Sequence, residues 1–196
     1  MRKVIFGGAN SLDNYFARID GSVDWLMWSD EAAEIMKDFW PRFDVIVMGR
    51  RTWTTATENF SEEDLEKAKA GHSDVKEYVF SRSLPAGPAK GGAEIVNSDP
   101  GEFVRELKAQ EGKDICVMGG GHLARTLFEA DVIDEVEFNI HPVLLGSGIP
   151  LFYEMGRQID LELIECRPFK NGCVYVLYRV MKEGETRIDN KRRSGD

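Results

Sequence analysis

The sequence predicts an α/β protein in which a mixed, mostly parallel sheet carries helices on both faces and ends in an antiparallel C-terminal hairpin. Short apolar runs rich in β-branched residues alternate with amphipathic stretches up to residue 134, as in parallel strands joined by helices. After residue 134, apolar and polar residues alternate singly. Asn171-Gly172 then separates two further strand-like segments, and Asn-Gly is a strong hairpin signal.

The predicted strands are short, and those before residue 134 end at a glycine, serine or asparagine. Continuous apolar runs are typical of strands that are covered on both faces. Five runs of this kind lie at 4–6, 45–48, 75–80, 95–96 and 115–118. Beyond them Val136, Phe138 and Ile140 alternate with polar residues, and the two hairpin strands are expected at about 159–169 and 173–181.

The helices between these strands have recognisable ends. A side chain that can accept a backbone hydrogen bond precedes each of the first three, and the fourth directly follows a run of glycines. The first two predicted helices run from Ser29 to Pro41 and from Ser61 to Gly71. The third has a capping-box-like start at Asp99, Pro100 and Glu102, and the fourth starts at the glycines at 119–121.

Length and composition suit one globular domain. The chain has 196 residues, of which 42% are hydrophobic and 30% charged. We expect a single domain over residues 1–181, since no linker or repeat interrupts it. Residues 182–196 are polar and charged without an apolar period, and we expect a mobile tail there.

Charge and cysteine usage exclude several classes of function. The formal net charge of −9 argues against a protein that binds nucleic acid or an anionic membrane, because neutralising phosphates needs a basic surface. No signal peptide or membrane span is visible. The three cysteines have no metal-ligand spacing, and their odd number argues against a disulfide framework. Reduced thiols suit the cytoplasm, where we expect the protein to work.

Residues 117–124 carry the most specific signal. An apolar strand ends there in Gly119, Gly120 and Gly121, and a helix starts at once. Glycine permits positive φ and close approach of a ligand, and a helix N-terminus offers free N–H donors and a partial positive charge. The arrangement predicts a phosphate-binding turn, although a tight strand–helix connection would explain the glycines alone.

Four segments are expected to converge at the carboxyl ends of the strands, where open α/β sheets bind ligands. They are 8–13, 48–53, 80–83 and the glycines. Arg50, Arg51 and Arg82 are unusual in so acidic a chain, and guanidinium groups suit phosphate oxygens. Solvated surface charge is the alternative for any one of them. Together they suggest a nicotinamide dinucleotide with a 2′-phosphate.

The order of these motifs resembles the dihydrofolate reductase-like superfamily, and most closely its branch shared with the reductase domain of riboflavin-biosynthesis deaminase-reductases. The match is collinear over about 180 residues. Its motifs are Ser11-Leu12-Asp13-Asn14-Tyr15, Asp24-Trp25-Leu26, Met48-Gly49-Arg50-Arg51-Thr52, Ser81-Arg82-Ser83, Gly119-Gly120-Gly121, Ile133-Asp134-Glu135-Val136 and residues 142–152. One departure is Asn14, where the branch usually has glycine; asparagine tolerates the left-handed conformation better than most residues.

The resemblance implies a three-layer αβα fold and an NADPH-dependent reductase. By position, the Ala9 backbone would contact the nicotinamide carboxamide, and Arg50 and Thr52 would hold the adenosine phosphate side. Ser81 and Arg82 would lie beside the adenine and its 2′-phosphate. The pyrophosphate would lie on Gly120, Gly121, His122 and Leu123. Gly49, Arg51, Ser83 and Gly119 complete the predicted cofactor site.

Trp25 indicates where a proton donor lies, because dihydrofolate reductases place an acidic residue five positions after a tryptophan. Here that residue is Asp30, and Glu34 lies one turn on. We therefore expect Asp30, Glu34 and Trp25 to form the catalytic group. Acidic residues in a first helical turn also complement the helix dipole, which is the alternative. We expect His122 and His141 to have structural rather than catalytic roles, and we predict no metal site.

The predicted function is hydride transfer from NADPH to a small heterocycle such as a pterin or pyrimidine. One alternative is the riboflavin-pathway reductase that acts on 5-amino-6-(5-phosphoribosylamino)uracil, although no second basic cluster is visible for that substrate's phosphate. Another is a nucleotide-binding module without catalysis. The zinc motif of a deaminase is absent from the sequence. We expect a homodimer, because the strand at 135–141 and the C-terminal hairpin offer edges and apolar faces, and related reductase domains often dimerise.

Overall fold

A nine-stranded sheet forms the centre of the computed structural model, which describes residues 1–58, 61, 63, 74–182 and 184–185. Its strand order is β10-β11-β8-β1-β7-β3-β4-β6-β5, and β2 and β9 pair separately. The strands are β1 Val4–Ser11, β2 Tyr15–Ala17, β3 Phe43–Gly49, β4 Lys76–Phe80, β5 Gly87–Pro88, β6 Glu94–Val96, β7 Asp114–Met118, β8 Glu135–His141, β9 Ile149–Pro150, β10 Leu161–Pro168 and β11 Val174–Val180.

The central six strands, from β8 to β6 in sheet order, are parallel. Strands β11 and β10 continue the sheet antiparallel on one side, and β5 does so on the other. All five apolar runs expected before residue 134 form strands, and the mixed sheet with a C-terminal hairpin is confirmed. The hairpin turn has the three residues 170–172, as expected: the Phe169 N–H donates to the Cys173 carbonyl, and Gly172 has a φ of 88°.

Four helices are described: α1 Asp30–Phe39, α2 Arg50–Glu58, α3 Pro100–Ala109 and α4 Gly121–Glu129. The Ser29 side chain accepts from the Ala32 N–H, and that of Asp99 from the Glu102 N–H, as their positions predict. A 3₁₀ turn at Trp40–Arg42 joins α1 to β3, and another lies at Lys90–Gly92. The helix expected between Ser61 and Gly71, and most of the expected tail, lie outside the described residues.

Alternate residues of the strands point to opposite sides of the sheet, which gives three layers. On β1, Phe6 packs in a cluster with Leu107 of α3 and Leu127 of α4. Its neighbour Ile5 packs in a second cluster with Phe39 of α1. Helices α1 and α2 therefore cover one face, and α3 and α4 cover the other. The three-layer αβα architecture is the one expected.

Strand β8 is not an edge, contrary to what its alternating sequence suggested. It is hydrogen-bonded to β1 on one side and β11 on the other. Its polar residues Glu135, Glu137 and His141 are at most 5% exposed. The alternation arose because β8 presents these polar side chains to a covered face, where α1 packs. The outer edge on this side of the sheet belongs to β10.

Candidate functional site

Two helix N-termini lie side by side at the carboxyl edge of the sheet. Strand β3 ends at Gly49 and α2 starts at the next residue, while β7 leads through Gly119 and Gly120 into α4. The two strands are paired in parallel, and a Cβ on Gly120 would lie 3.7 Å from the Gly49 nitrogen. The free N–H groups and dipoles of both helices therefore face the same region, which favours an anion.

The glycine turn, residues 119–121, needs its glycines for conformation and for space. Gly119 and Gly120 have φ of 59° and 79°, in the left-handed region. A Cβ on Gly119 would lie 3.0 Å from Thr52 Cγ2 and Oγ1, and one on Gly121 would lie 2.6 Å from the Leu151 carbonyl oxygen. The turn therefore lies directly against the first turn of α2, which carries Thr52.

The turn at 81–84 fixes the next part of the site. The Ser81 hydroxyl accepts from the N–H groups of Ser83 and Leu84, at 3.2 and 3.0 Å. Asn97 donates to the carbonyl oxygens of Ser81 and Leu84, at 2.5 and 3.0 Å. Arg50 Nη1 then donates to the Ser83 hydroxyl at 3.0 Å. Sequence reasoning missed Asn97, and its only signal was a polar residue directly after a strand beside β4.

The arginines create a positive field at the glycine turn. Burial, and then the charges of Arg125, Arg51 and Arg82, lower the pKa of His122. His122 stacks on Tyr153 with ring centroids 3.7 Å apart. Arg50, Arg51 and Arg82 are all exposed and available to a ligand. The structure thus brings the predicted cofactor residues together along one edge.

A cavity of about 200 Å³ lies between α1 and the sheet; we call it the α1 cavity. Ala9 and Met118 line it, and since Gly119 follows Met118, the cavity adjoins the glycine turn. Its walls are largely apolar. The remaining lining residues are Gly7, Gly8, Leu26, Met27, Trp28, Ala32, Ile35, Met36, Phe39, Trp40, Cys116, Glu137, Phe138, Asn139, His141, Phe169 and Tyr175.

The predicted catalytic carboxylates lie elsewhere. Asp30 is the first residue of α1 and Glu34 lies one turn later; both are exposed, and neither lines the α1 cavity. Asp30 is placed to complement the helix dipole. Trp25 is buried and contacts His141 edge-on, with ring centroids 5.3 Å apart. The carboxylate that does line the cavity is Glu137, which sequence reasoning did not single out.

Glu137 is 3% exposed and is held at both oxygens. The Tyr175 hydroxyl donates to Oε1 at 2.8 Å, and Arg42 Nη1 donates to Oε2 at 2.9 Å. Burial, followed by the negative charge of Glu137, raises the pKa of Tyr175, so its hydroxyl stays protonated and remains a donor. The carboxylate is thereby oriented against the cavity wall.

His141, on strand β8, is hydrogen-bonded to the segment at Met27 that lines one side of the cavity. Its Nδ1 accepts from the Met27 N–H at 3.2 Å and lies 3.4 Å from the Cys173 sulfur. Its Nε2 lies 3.3 Å from the Asn139 amide. Burial lowers the pKa of His141, which favours the neutral ring that these contacts require.

Asp13 and Asn14 shape the rim at the end of β1. Asp13 accepts from the Ser11 hydroxyl at 2.6 Å and from the N–H groups of Gly146 and Leu145, at 2.8 and 3.1 Å. The hydrogen bond from Ser11 holds the pKa of Asp13 below its usual value. Asn14 has a φ of 63°, so it does adopt the left-handed conformation that glycine usually supplies.

Comparison with known proteins places these features in context. Residues 2–175 match the family model of the RibD C-terminal domain. The chain is 34% identical over 182 residues to the uncharacterised protein YyaP of Bacillus subtilis (strain 168), covering 90% of this chain and 94% of that protein.

Two solved structures share the fold. A putative riboflavin biosynthesis protein from Shewanella sp. PV-4 has a TM-score of 0.68 and 24% identity, covering 93% of this chain and all of that one. Dihydrofolate reductase from Enterococcus faecalis, solved with NADP(H), has a TM-score of 0.65 and 13% identity, covering 92% and 97%. Within the described part of the chain, no helix is long and apolar enough to cross a membrane. The same residues contain no group of three or more potential metal ligands.

Proposed function

Because the chain belongs to the RibD C-terminal domain family, a family of reductase type, we propose that it is an NADPH-dependent reductase that transfers a hydride to a small heterocycle such as a pterin or pyrimidine. One observation carries the proposal: an anion-binding edge with two helix N-termini and three arginines adjoins an apolar cavity at Met118. A dinucleotide could bind its phosphates at the edge and present its ring at the cavity.

The residues at the edge fit NADPH. In the proposal, the glycine turn with His122 and Leu123 binds the pyrophosphate, and Arg50, Arg51, Thr52 and the 81–83 segment bind the adenosine phosphates. The fit is supported by the helix N-terminus that follows the left-handed Gly119 and Gly120, and by the cluster of exposed cations. Bound NADPH would supply the hydride for a C=N or C=O group, and a proton completes the reduction.

The α1 cavity favours a substrate without phosphate. Its lining includes no lysine or arginine among the residues described, and most of its wall is hydrocarbon. The phosphoribosyl substrate of the riboflavin pathway would need cations that this wall does not offer. We therefore place the general heterocycle reductase ahead of the riboflavin-pathway reductase, the second candidate from the same family.

Cofactor binding is the first test. Titration with NADPH, followed by nicotinamide fluorescence, should give a dissociation constant below about 100 μM, within the usual range for enzymes. Arg50→Glu should weaken NADPH roughly tenfold or more while changing NADH much less, since NADH lacks the 2′-phosphate. Lys76→Glu makes the same charge change at the amino end of β4 and should leave both affinities nearly unchanged.

The outcomes separate the candidates. No binding of NADPH at about 100 μM would refute the reductase. Equal losses of NADPH and NADH in Arg50→Glu would refute the role of Arg50 at the 2′-phosphate. If NADPH binds, its steady oxidation in the presence of a panel of heterocycles identifies an enzyme, whereas binding without turnover on any of them favours a non-catalytic module.

A further inference from the structure

We propose that Glu137 is the recognition residue of the α1 cavity, and that the cavity takes a flat, phosphate-free ligand with neighbouring N–H donors, such as an amidine or aminopyrimidine edge. The inference rests on the proposed function only in taking this cavity as the substrate site. It assigns a class of ligand to the cavity. It also places the carboxylate that binds this ligand on the sheet rather than on α1.

The polar groups of the cavity lie on one side of it. Glu137, Asn139 and His141 occupy alternate positions of β8, so their side chains share the face covered by α1, and all three line the cavity. The facing helix contributes only apolar lining residues, among them Ala32, Ile35 and Met36. A ligand in the cavity therefore meets polar atoms along one side and hydrocarbon on the other, which suits a flat ring with one polar edge.

Glu137 keeps acceptor positions that its protein partners do not use. A carboxylate offers about four lone-pair positions, and one hydrogen bond to each oxygen of Glu137 uses two of them. A carboxylate at the cavity wall with unused lone pairs favours a ligand that supplies donors.

The arrangement of charges around the cavity also favours donors. The cations paired with these carboxylates, Arg42 with Glu137 and Lys3 with the neighbouring Glu135, do not line the cavity. A ligand in the cavity is therefore closer to the Glu137 carboxylate than to the guanidinium that pairs with it. This proximity favours N–H donors on the ligand over a phosphate or carboxylate.

Three single-ring fragments with different charges test the ligand preference of the α1 cavity. Benzamidine, benzamide and benzoate are titrated against the full chain, and the fluorescence of Trp28 and Trp40, which line the cavity, reports binding. Benzamidine should bind at least about tenfold more tightly than benzoate, with benzamide between them, because hydrogen bonds to a charged group are the stronger ones.

Glu137→Gln should remove most of benzamidine's advantage. Glu135→Gln is the matched control: it lies two residues away on the same strand face, is also buried and also pairs with Arg42, but does not line the cavity. It should preserve the order of affinities. Glu137→Asp keeps the charge, withdraws it by one methylene, and should give an intermediate result; it also serves if Glu137→Gln does not fold.

Several results would overturn the inference. These are benzoate binding as tightly as benzamidine, equal losses in Glu137→Gln and Glu135→Gln, or no benzamidine binding by the unchanged chain. NADPH affinity, measured on the same samples, should not change in any of these variants. If NADPH fails to bind the unchanged chain while benzamidine still depends on Glu137, the proposed reductase is refuted and the recognition residue stands.

Discussion

His141 occupies the last position of β8, and its ring contacts residues that are far apart in the chain. The Met27 N–H donates to Nδ1, and the side chains of Trp25 and Cys173 pack against the ring. Protonation of Nδ1 would remove the acceptor for Met27, which lines the α1 cavity. The charge state of this buried ring is thus linked to the position of the Met27 segment, which lines the cavity.

We predict that the free energy of unfolding falls as the pH is lowered from about 7 to about 5, in part through His141. Burial lowers the pKa of His141 from its ordinary 6.5, so the unfolded chain binds this proton more readily than the folded one. The stabilising contribution is complete above about pH 6.5 and is lost as the pH falls through the pKa of the folded protein. Urea titrations at a series of pH values measure it.

His141→Gln should lower stability at pH 7 and flatten this dependence on pH. His122→Gln is the comparison: the pKa of His122 is also lowered, so this variant should flatten the slope as well, but His122 is exposed and its replacement should cost little stability at pH 7. The burial of Cys173 raises its pKa, which keeps that thiol neutral across the range. An unchanged slope in His141→Gln would contradict the role assigned to this ring.

Among single residues, the spacing from Trp25 predicted a carboxylate on α1, and the carboxylate in the cavity is Glu137 on β8. The sequence of β8 alternates apolar and polar residues, which normally indicates one solvated face. Here the polar face is buried and its charges are paired across the fold by Arg42 and Lys3. Such pairings join residues about a hundred positions apart, so local spacing does not reveal them.

At the scale of elements, the glycine turn offers a direct test of backbone strain and ligand access. Gly119→Ala places a side chain at a φ of 59° and 3.0 Å from Thr52. We predict a loss of about 1–2 kcal/mol in stability from the left-handed backbone, together with weaker NADPH binding. Thermal unfolding and nicotinamide fluorescence measure the two effects.

Gly92→Ala is the matched variant, because Gly92 has a φ of 74° with nothing within 4 Å of the added Cβ. It should lose similar stability and keep its affinity for NADPH. If both variants bind NADPH equally well, the turn at 119–121 does not hold the pyrophosphate.

The elements differed in how far their sequences predicted them. Strand–helix junctions with a cap or a glycine run were located within a residue or two, because hydrogen bonds inside the segment determine them. The two-residue strands β5 and β9 carried no pattern to recognise. The convergence of the glycine turn with residues 49–52 and 81–83 was predictable because each segment follows directly on a strand. The α1 cavity was not, because it forms only where α1, β8 and β11 meet.

At the scale of the whole molecule, the order of the strands depends on contacts that no local pattern contains. Strand β1 pairs with β7 and β8, both more than a hundred residues later. A parallel sheet was expected from the alternation of strands and helices, and with it the convergence of the loops at one edge. The interior position of β8 was not expected, because its alternation resembles that of a strand with one solvated face.

We propose that the protein forms a homodimer through the β10 edge. Leu163 and Ile164 are 53% and 51% exposed beside an irregularity in the pairing of β10 with β11, and the outer side of β10 has no partner strand in the described sheet. Unpaired edges with apolar side chains favour association.

Sedimentation of the unchanged chain should give twice the mass of one chain, and Ile164→Asp should give the mass of one. Ile19→Asp, at an exposed loop residue, should remain dimeric; a monomeric unchanged chain would refute the proposal.

Arg42 gives the cavity an asymmetric capacity to change during evolution. Its side chain is 32% exposed and serves both Glu135 and Glu137, so replacing Glu137 with a neutral residue leaves Arg42 with solvent and one carboxylate. Replacing Arg42 instead leaves two buried carboxylates short of a partner, a defect of about 3–5 kcal/mol. Descendants of this chain could therefore exchange the group that reads the ligand, and so acquire new substrates, more readily than they could lose the arginine behind it.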